Sequence, residues 1–137
     1  MTADPAETLR ALMPFAATLG IEWLRCEPEE VRARLAWAPG LCTSGGALHG
    51  GAVMALADSA GGACAYLNLP PGAAGTTTVE SKTNFLRAVR DGYIEAAARP
   101  LHQGRTLIVV ETDIRDARQR LAARVTQSQL VLAAAGK

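Results

Sequence analysis

The longest helical pattern in the chain begins near Gly50 and ends near Leu69, because Pro70 cannot continue a helix. Apolar residues with helical spacing form one face of this segment. Those residues are Val53, Leu56, Ala57, Ala60, Cys64 and Leu67. The opposite face carries Gly51, Ala55, Asp58, Ser59, Gly62 and Tyr66. Because neither face has the long charged side chains of a solvated helix, the pattern predicts a helix that is buried nearly all round.

Strand-like segments, which are rich in β-branched residues or alternate apolar and polar positions, lie on both sides of this helix. They cover residues 21–26, 31–37, 76–89, 92–101, 105–116 and 120–132. Short turns predict that the first two segments form a hairpin and that the last four form an antiparallel meander. Residues 5–19 are predicted to form a helical segment that Thr2 or Asp4 caps and that Pro14 splits or ends. Residues 133–137 are expected to form a frayed tail.

Together these elements predict an α+β fold, in which an antiparallel sheet of about six strands wraps around a long central helix. The chain has 137 residues and shows no internal repeat or linker, so we expect one domain that spans residues 1–137.

Charge and cysteine content narrow the possible functions. The net charge is only +1, so no nucleic-acid partner is expected. The three cysteines lack metal-binding spacing, which favours reduced thiols in a cytoplasmic protein and gives no indication of a metal or other cofactor. The first residues lack the apolar region of a signal peptide, and no run of about 20 apolar residues predicts a membrane span.

Asp58 is the single ionisable side chain in the middle of the predicted buried helix. Burial of a lone carboxylate is energetically costly, and such groups are candidates for chemistry. The structural alternative is that Asp58 hydrogen-bonds a neighbouring backbone or caps another element. The pattern of this helix alone leaves both interpretations open.

The start of the same helix carries Gly50 and Gly51, whose amide N–H groups lack helical partners and lie at the positive end of the helix dipole. Such donors suit a carbonyl oxygen that gains negative charge during acyl transfer. Eight residues separate Gly50 from Asp58, which corresponds to about 12 Å along the helix axis. If both groups act on one substrate, we therefore expect them to come from two different chains, in a dimer or a larger oligomer.

The motif Leu48-His49-Gly50-Gly51, with Asp58 further along the helix, resembles the hotdog-fold acyl-CoA thioesterases of the phenylacetate-pathway (PaaI-like) group. The resemblance covers most of the chain, from about residue 20 to residue 132. It extends from Thr76 to Asn84-Phe85-Leu86-Arg87 and includes the turn Asp91-Gly92 and His102-Gln103-Gly104-Arg105. It implies hydrolysis of an acyl- or aryl-CoA thioester to a carboxylate and CoA. It also implies dimers that join sheets edge to edge and pack further into homotetramers, with sites shared between chains.

The resemblance implies a role for each matching residue. Asp58 resembles the catalytic carboxylate, which acts as a general base on water or as a nucleophile. Gly50 resembles the backbone donor that polarises the thioester carbonyl, and His49 resembles the histidine that shapes this loop. Thr78 resembles a hydroxyl residue that positions the attacking water. Thr43 stands where many relatives carry Asn, so its contribution to thioester binding departs from the family pattern.

Three further residues are candidates for substrate binding. Gly51 offers a second amide at the helix start, and Arg87 and Arg105 are able to meet CoA phosphates through charge-assisted hydrogen bonds. For each arginine taken singly, an ordinary solvated strand end is the favoured interpretation. Ser59 and Cys64 are weak nucleophile candidates, because no serine elbow motif and no histidine partner accompany them. A hotdog hydratase or dehydratase, and a non-catalytic acyl-CoA-binding protein, are the alternative functions.

Overall fold

The computed structural model describes residues 3–135. Its N-terminal part contains helices α1 (Pro5–Leu12) and α2 (Pro14–Leu19). Asp4 caps α1, since its side chain accepts a hydrogen bond from the Ala6 amide at 3.1 Å. Pro14 opens α2, which confirms that it divides the predicted helical segment. The other predicted cap, Thr2, lies outside the described residues.

The central helix, α3, spans Gly50–Leu67 and is the longest helix that the structure describes. His49 is its N-cap and Asn68 is its C-cap. The Asn68 side chain donates 2.8 Å hydrogen bonds to the carbonyl oxygens of Pro28 and Cys64. These bonds end the helix slightly before the predicted boundary near Leu69. Among the described helices, none is long and apolar enough to cross a membrane.

Six antiparallel strands form one sheet in the order β1-β2-β4-β5-β6-β3. The strands are β1 (Glu22–Glu27), β2 (Glu30–Ala36), β3 (Ala73–Phe85), β4 (Tyr93–Gln103), β5 (Leu107–Asp116) and β6 (Leu121–Ala133). Strand number and fold class agree with the prediction. The meander, however, contains only β4, β5 and β6. The prediction that β3 belongs to it is wrong, because β3 pairs with β6 and lies at an edge of the sheet.

Two predicted boundaries also need correction. The strand predicted to run to Val89 ends at Phe85. Beyond this point the Leu86 and Arg87 amides both bond to the Ala122 carbonyl, and the Val89 carbonyl accepts a bond from the Leu48 amide. At the other end of the chain, Ala133 is not part of a frayed tail, since it pairs with Ala73 in the sheet. Residues 136–137 of the predicted tail lie outside the described residues.

The apolar face of α3 packs against the sheet and forms the core. Val53, Leu56, Ala57, Ala60 and Cys64 are buried there, as the periodicity predicted. The opposite face is open, and Gly51, Met54, Asp58 and Tyr66 are exposed on it. The prediction of a helix buried nearly all round is therefore wrong for a single chain, because one sheet covers only one side of a helix.

Glu30 organises a cluster of charges near the start of β2. Its side chain is only 8% exposed, and it forms ion pairs with Arg25, Arg32 and Arg99. Burial works to raise the pKa of Glu30, but hydrogen bonds from Arg32 and Arg25 and the charge of Arg99 outweigh it. In the folded protein, the pKa of Glu30 therefore lies below its usual value.

Replacement of this carboxylate tests the cluster through its pH dependence. A carboxylate whose pKa is lowered by folding adds stability above its unfolded pKa, about 4.3 for Glu, and this stability is lost at lower pH. We expect Glu30→Gln to reduce the free energy of unfolding at pH 7 by about 1–2 kcal/mol. Urea titrations at pH 7 and pH 3 measure the difference, which should shrink at pH 3. Glu29→Gln, at an exposed neighbouring position, is the matched control; an equal loss in both variants contradicts the account.

Candidate active site

Asp58 lies on the exposed face of helix α3, and its carboxylate contacts side chains of β6 and β3. Oδ1 of Asp58 accepts a hydrogen bond from Gln127 Nε2 at 2.8 Å and a longer one from Thr78 Oγ1 at 3.4 Å. Within residues 3–135, no donor reaches the other carboxylate oxygen, Oδ2. One oxygen is therefore held in place while the other faces open space.

The close approach of Gln127 to Asp58 depends on Gly61. A Cβ atom at position 61 would lie 1.7 Å from Gln127 Oε1, which is an impossible distance. Gln127 is fully buried on β6, so its side chain has little freedom to move aside. Glycine within a helix costs roughly 1 kcal/mol relative to alanine. At Gly61 this cost allows the Gln127 amide to lie against α3 and donate to Asp58.

A second buried glutamine supports Thr78. Gln129 Nε2 donates to Thr78 Oγ1 at 2.7 Å, and Gln129 Oε1 accepts a bond from Thr76 Oγ1 at 3.2 Å. Because the Thr78 oxygen accepts from Gln129, its own proton is free to point towards Asp58. The Thr76–Gln129–Thr78 chain therefore sets the orientation of the hydroxyl beside the carboxylate.

Gln127 and Gln129 are not among the site residues predicted from the sequence. Buried positions recur at every second residue along β6. Both glutamines continue the series of the buried Ala123 and Val125, so their side chains point to the same inner face of the strand. Polar side chains at inward positions of a strand need hydrogen-bond partners. Their partner could not be named before the register of β6 against α3 was known.

The start of α3 forms the second candidate group. His49 Nδ1 accepts a 2.8 Å hydrogen bond from the Gly51 amide and so caps the helix. Within the described residues, no acceptor meets the N–H of Gly50. A Cβ at Gly50 would lie 3.2 Å from the Phe85 ring, so this glycine permits close packing against the end of β3. The free amide is therefore Gly50, while Gly51 is engaged by His49.

Asp58 and Gly50 lie in different clefts of the single chain. A cleft of about 600 Å³ contains Asp58 and Thr78 together with residues of α1, α2 and β3. Another, of about 420 Å³, contains Gly50 together with residues 85–89. The two clefts have no lining residue in common. Asp58 and Gly50 of one chain therefore lie apart. This separation agrees with their spacing in the sequence.

The predicted substrate-binding residues are dispersed. Arg87 lines the Gly50 cleft, whereas Arg105 lines a separate cleft of about 300 Å³ beside residues 70–72 and the start of β3. Thr43 is exposed in the loop before α3, where its amide bonds to the Ala47 carbonyl, and it lines neither main cleft. Of these three residues, only Arg87 is therefore near one of the two candidate groups in the single chain; Gly51, the other predicted contact, adjoins Gly50 but its amide is engaged by His49.

The alternative nucleophiles are engaged elsewhere. Ser59 Oγ donates to the Ala55 carbonyl at 2.7 Å, within its own helix. Cys64 is fully buried, and burial raises the pKa of its thiol to about 11. A thiol with this pKa stays protonated and unreactive at neutral pH. Among residues 3–135, no cluster of three or more His, Cys, Asp or Glu side chains could hold a metal ion.

Comparison with known proteins identifies the family. A model of the thioesterase superfamily matches residues 45–123, which include both candidate groups and more than half of the chain. The chain belongs to the thioesterase superfamily. A relative from Mycobacterium tuberculosis strain H37Rv, named as a candidate esterase, is 31% identical over 123 residues and covers 88% of each chain. The expected resemblance to hotdog thioesterases is thus confirmed.

Solved structures agree with this assignment to the superfamily. A thioesterase from Haemophilus influenzae is 28% identical, with a TM-score of 0.87, over 96% of this chain and 93% of that one. The PaaI protein of Escherichia coli gives a TM-score of 0.81 over 93% and 94% of the two chains, at 21% identity. At this low sequence identity, the structural similarity to PaaI shows a shared fold alone. The hotdog architecture of this superfamily member is therefore confirmed.

Alanine substitutions at two adjacent glycines of α3 test the packing below Asp58. Gly62→Ala should stabilise the protein by up to about 1 kcal/mol, because a Cβ there meets no atom within 4 Å and alanine favours helix. Gly61→Ala should instead destabilise it, because the new methyl group displaces Gln127 from its buried position. Thermal unfolding measures both changes. Equal stabilisation by the two variants is the contradictory result.

Proposed function

We propose that this protein hydrolyses acyl thioesters of coenzyme A to a carboxylate and free CoA. The proposal is carried by the hydrogen bonding of Asp58. Gln127 holds one oxygen of its carboxylate, and the other oxygen is free in an open cleft. Membership of the thioesterase superfamily supports the class of reaction.

The free Oδ2 of Asp58 suits two routes, and both use a second group to stabilise charge on the carbonyl oxygen. As a general base, it takes a proton from water while the water oxygen attacks the thioester carbon. As a nucleophile, it attacks that carbon itself and forms an anhydride that water then hydrolyses. In each route the tetrahedral intermediate expels the thiolate of CoA, which is a good leaving group.

Gly50 is the proposed donor to the carbonyl oxygen. Its N–H is unused within the described chain and lies at the positive end of α3, where it is fixed before the reaction begins. A donor fixed in this way stabilises an oxyanion more than mobile water does. His49 holds the adjacent Gly51 amide and thereby shapes the turn that presents Gly50.

We propose that the complete site forms between two chains. Strand β3 is 13 residues long and forms an edge of the sheet. Val79 and Phe85 are more than half exposed on it. Long exposed edges of this kind are templates for pairing with another strand. A second copy of this chain, paired through β3, would cover the edge.

Antiparallel pairing of two β3 strands brings the two candidate groups together. Asp58 lies beside Thr78 in the middle of β3, and Gly50 packs against Phe85 at the C-terminal end of this strand. A twofold axis near Ser81 would place position 78 of one chain opposite position 84 of its partner, so Asp58 of one chain would come close to the Gly50 end of the other. The charge pattern supports this register because Glu80 comes opposite Lys82 of the partner subunit.

The surroundings of Asp58 favour an apolar acyl group. Leu12, Phe15 and Tyr66 line its cleft and are exposed in the single chain. Burial of apolar surface on an acyl chain or an aryl ring would stabilise the bound substrate. We retain Thr43 and Arg105 as proposed substrate contacts, although each lies outside both main clefts of one chain. A homotetramer built from such dimers is likewise a proposal.

Thiol release from a panel of alkyl- and aryl-CoA thioesters tests the proposed reaction. Asp58→Asn keeps an oxygen that can accept from Gln127 but removes the base and nucleophile. We expect this change to lower kcat by about 100-fold or more, because general-base catalysis contributes about 10²–10⁴-fold. Ser59→Ala, at the adjacent position of the same helix, is the control and should retain turnover.

Two outcomes would contradict the proposal. Near-normal kcat in a folded Asp58→Asn protein would remove Asp58 from the mechanism. No thiol release from any thioester by the unmodified protein would exclude hydrolysis of the tested class. Turnover of an enoyl thioester without thiol release would instead favour a hydratase.

A further inference from the structure

We infer that Gly62 is a specificity-determining residue, because its missing side chain leaves room beside Asp58 for a bulky acyl group. By a bulky group we mean a ring or a branched chain close to the thioester carbonyl. This inference rests on the proposed function and specifies which acyl groups the same site accepts. It also separates the roles of two adjacent glycines of α3, since packing within the chain requires Gly61 but not Gly62.

Packing within the chain gives no reason for a glycine at position 62. A Cβ atom there would meet no heavy atom of residues 3–135 within 4 Å, whereas a Cβ at Gly61 would collide with Gln127. Position 62 lies inside α3, so its backbone suits any helix-forming residue, and alanine stabilises a helix more than glycine does. A residue that reduces stability without a packing reason indicates a role in function.

Gly62 lies on the floor of the Asp58 cleft. Asp58, Gly62 and Tyr66 follow one another at intervals of four residues, so they share one face of the helix. All three line this cleft. Gly62 therefore leaves the surface of α3 bare between Asp58 and Tyr66, whose α-carbons are about 12 Å apart along the helix axis.

The rest of the cleft offers apolar surface and no positive charge. Leu12 and Phe15 line it and are more than half exposed, and the ring of Tyr66 is also accessible. Asp58 is the one charged side chain among the described lining residues. A ring that lies on the bare helix can pack against these aromatic side chains, whereas a second carboxylate would be repelled by Asp58. The expected acyl group is therefore bulky and uncharged.

The distance between Gly62 and Asp58 decides which acyl groups the glycine affects. The thioester carbonyl must lie next to Asp58, and Gly62 is about one helical turn, about 6 Å, further along the floor of the cleft. An acetyl group ends before this position, whereas a ring or a branched chain extends across it. A methyl group at position 62 would point into the open cleft and occupy the space of the larger groups. Substitution should therefore discriminate by acyl size.

Steady-state kinetics with acetyl-CoA, benzoyl-CoA and phenylacetyl-CoA test this inference. We expect Gly62→Ala to lower kcat/KM for the two aromatic thioesters about tenfold, because one methylene group in an apolar pocket changes discrimination by about 10–200-fold. Gly62→Leu should lower it further, and the loss for acetyl-CoA should be much smaller in both variants. Gly40→Ala is the matched control, since a Cβ at this exposed position also meets nothing within 4 Å but Gly40 lines neither main cleft.

Calorimetric binding of two CoA thioethers, S-ethyl-CoA and S-phenethyl-CoA, measures the same space without hydrolysis. Gly62→Ala should weaken the binding of S-phenethyl-CoA about tenfold and that of S-ethyl-CoA much less. Failure of the proposed function, seen as no thiol release from any thioester, is therefore distinguishable from failure of this inference. An equal change for both sizes, or no change for either, would overturn the inference. So would a smaller oligomer of Gly62→Ala in light scattering, since that result would assign Gly62 to an interface between chains.

Discussion

The position of Asp58 depends on close packing between α3 and β6. Gly61 lacks the methyl group that would exclude the Gln127 side chain, and Gln127 holds Oδ1 of Asp58. Thr78 on the edge strand β3, supported by the buried Gln129 of β6, completes this arrangement. The result is a carboxylate that is fixed in orientation yet has one free oxygen. The proposed chemistry requires both properties at once.

The same helix explains why a second chain is proposed. Its inner face forms the core, while its outer face carries the exposed residues Gly51, Met54, Asp58 and Tyr66. Asp58 and the Gly50 amide lie in separate clefts, and their distance along a rigid helix cannot change. A twofold pairing through β3 covers the exposed edge and unites the two groups. Stability and activity would then depend on one interface.

The sequence predicted the parts of the molecule that depend on local periodicity and left out those that depend on tertiary pairing. Helix α3, the fold class, Gly50 and Asp58 all followed from spacing along the chain. The edge position of β3 did not, because strand order depends on how the chain crosses over α3. Gln127 was missed for a related reason, since its partner is set by strand register. The separation of Arg87 from Arg105 also required the fold.

Mixed oligomers test the shared site most directly. Gly50→Pro removes the proposed donor at the first helical position, where proline is tolerated, and Gly50→Ala places a similar Cβ against Phe85 but keeps the N–H. Asp58→Asn and Gly50→Pro chains should each be inactive alone. Co-expressed in equal amounts, they should recover about a quarter of normal activity, because half of the dimers regain one of two sites. No recovery in mixed dimers of confirmed composition would contradict a site built from two chains.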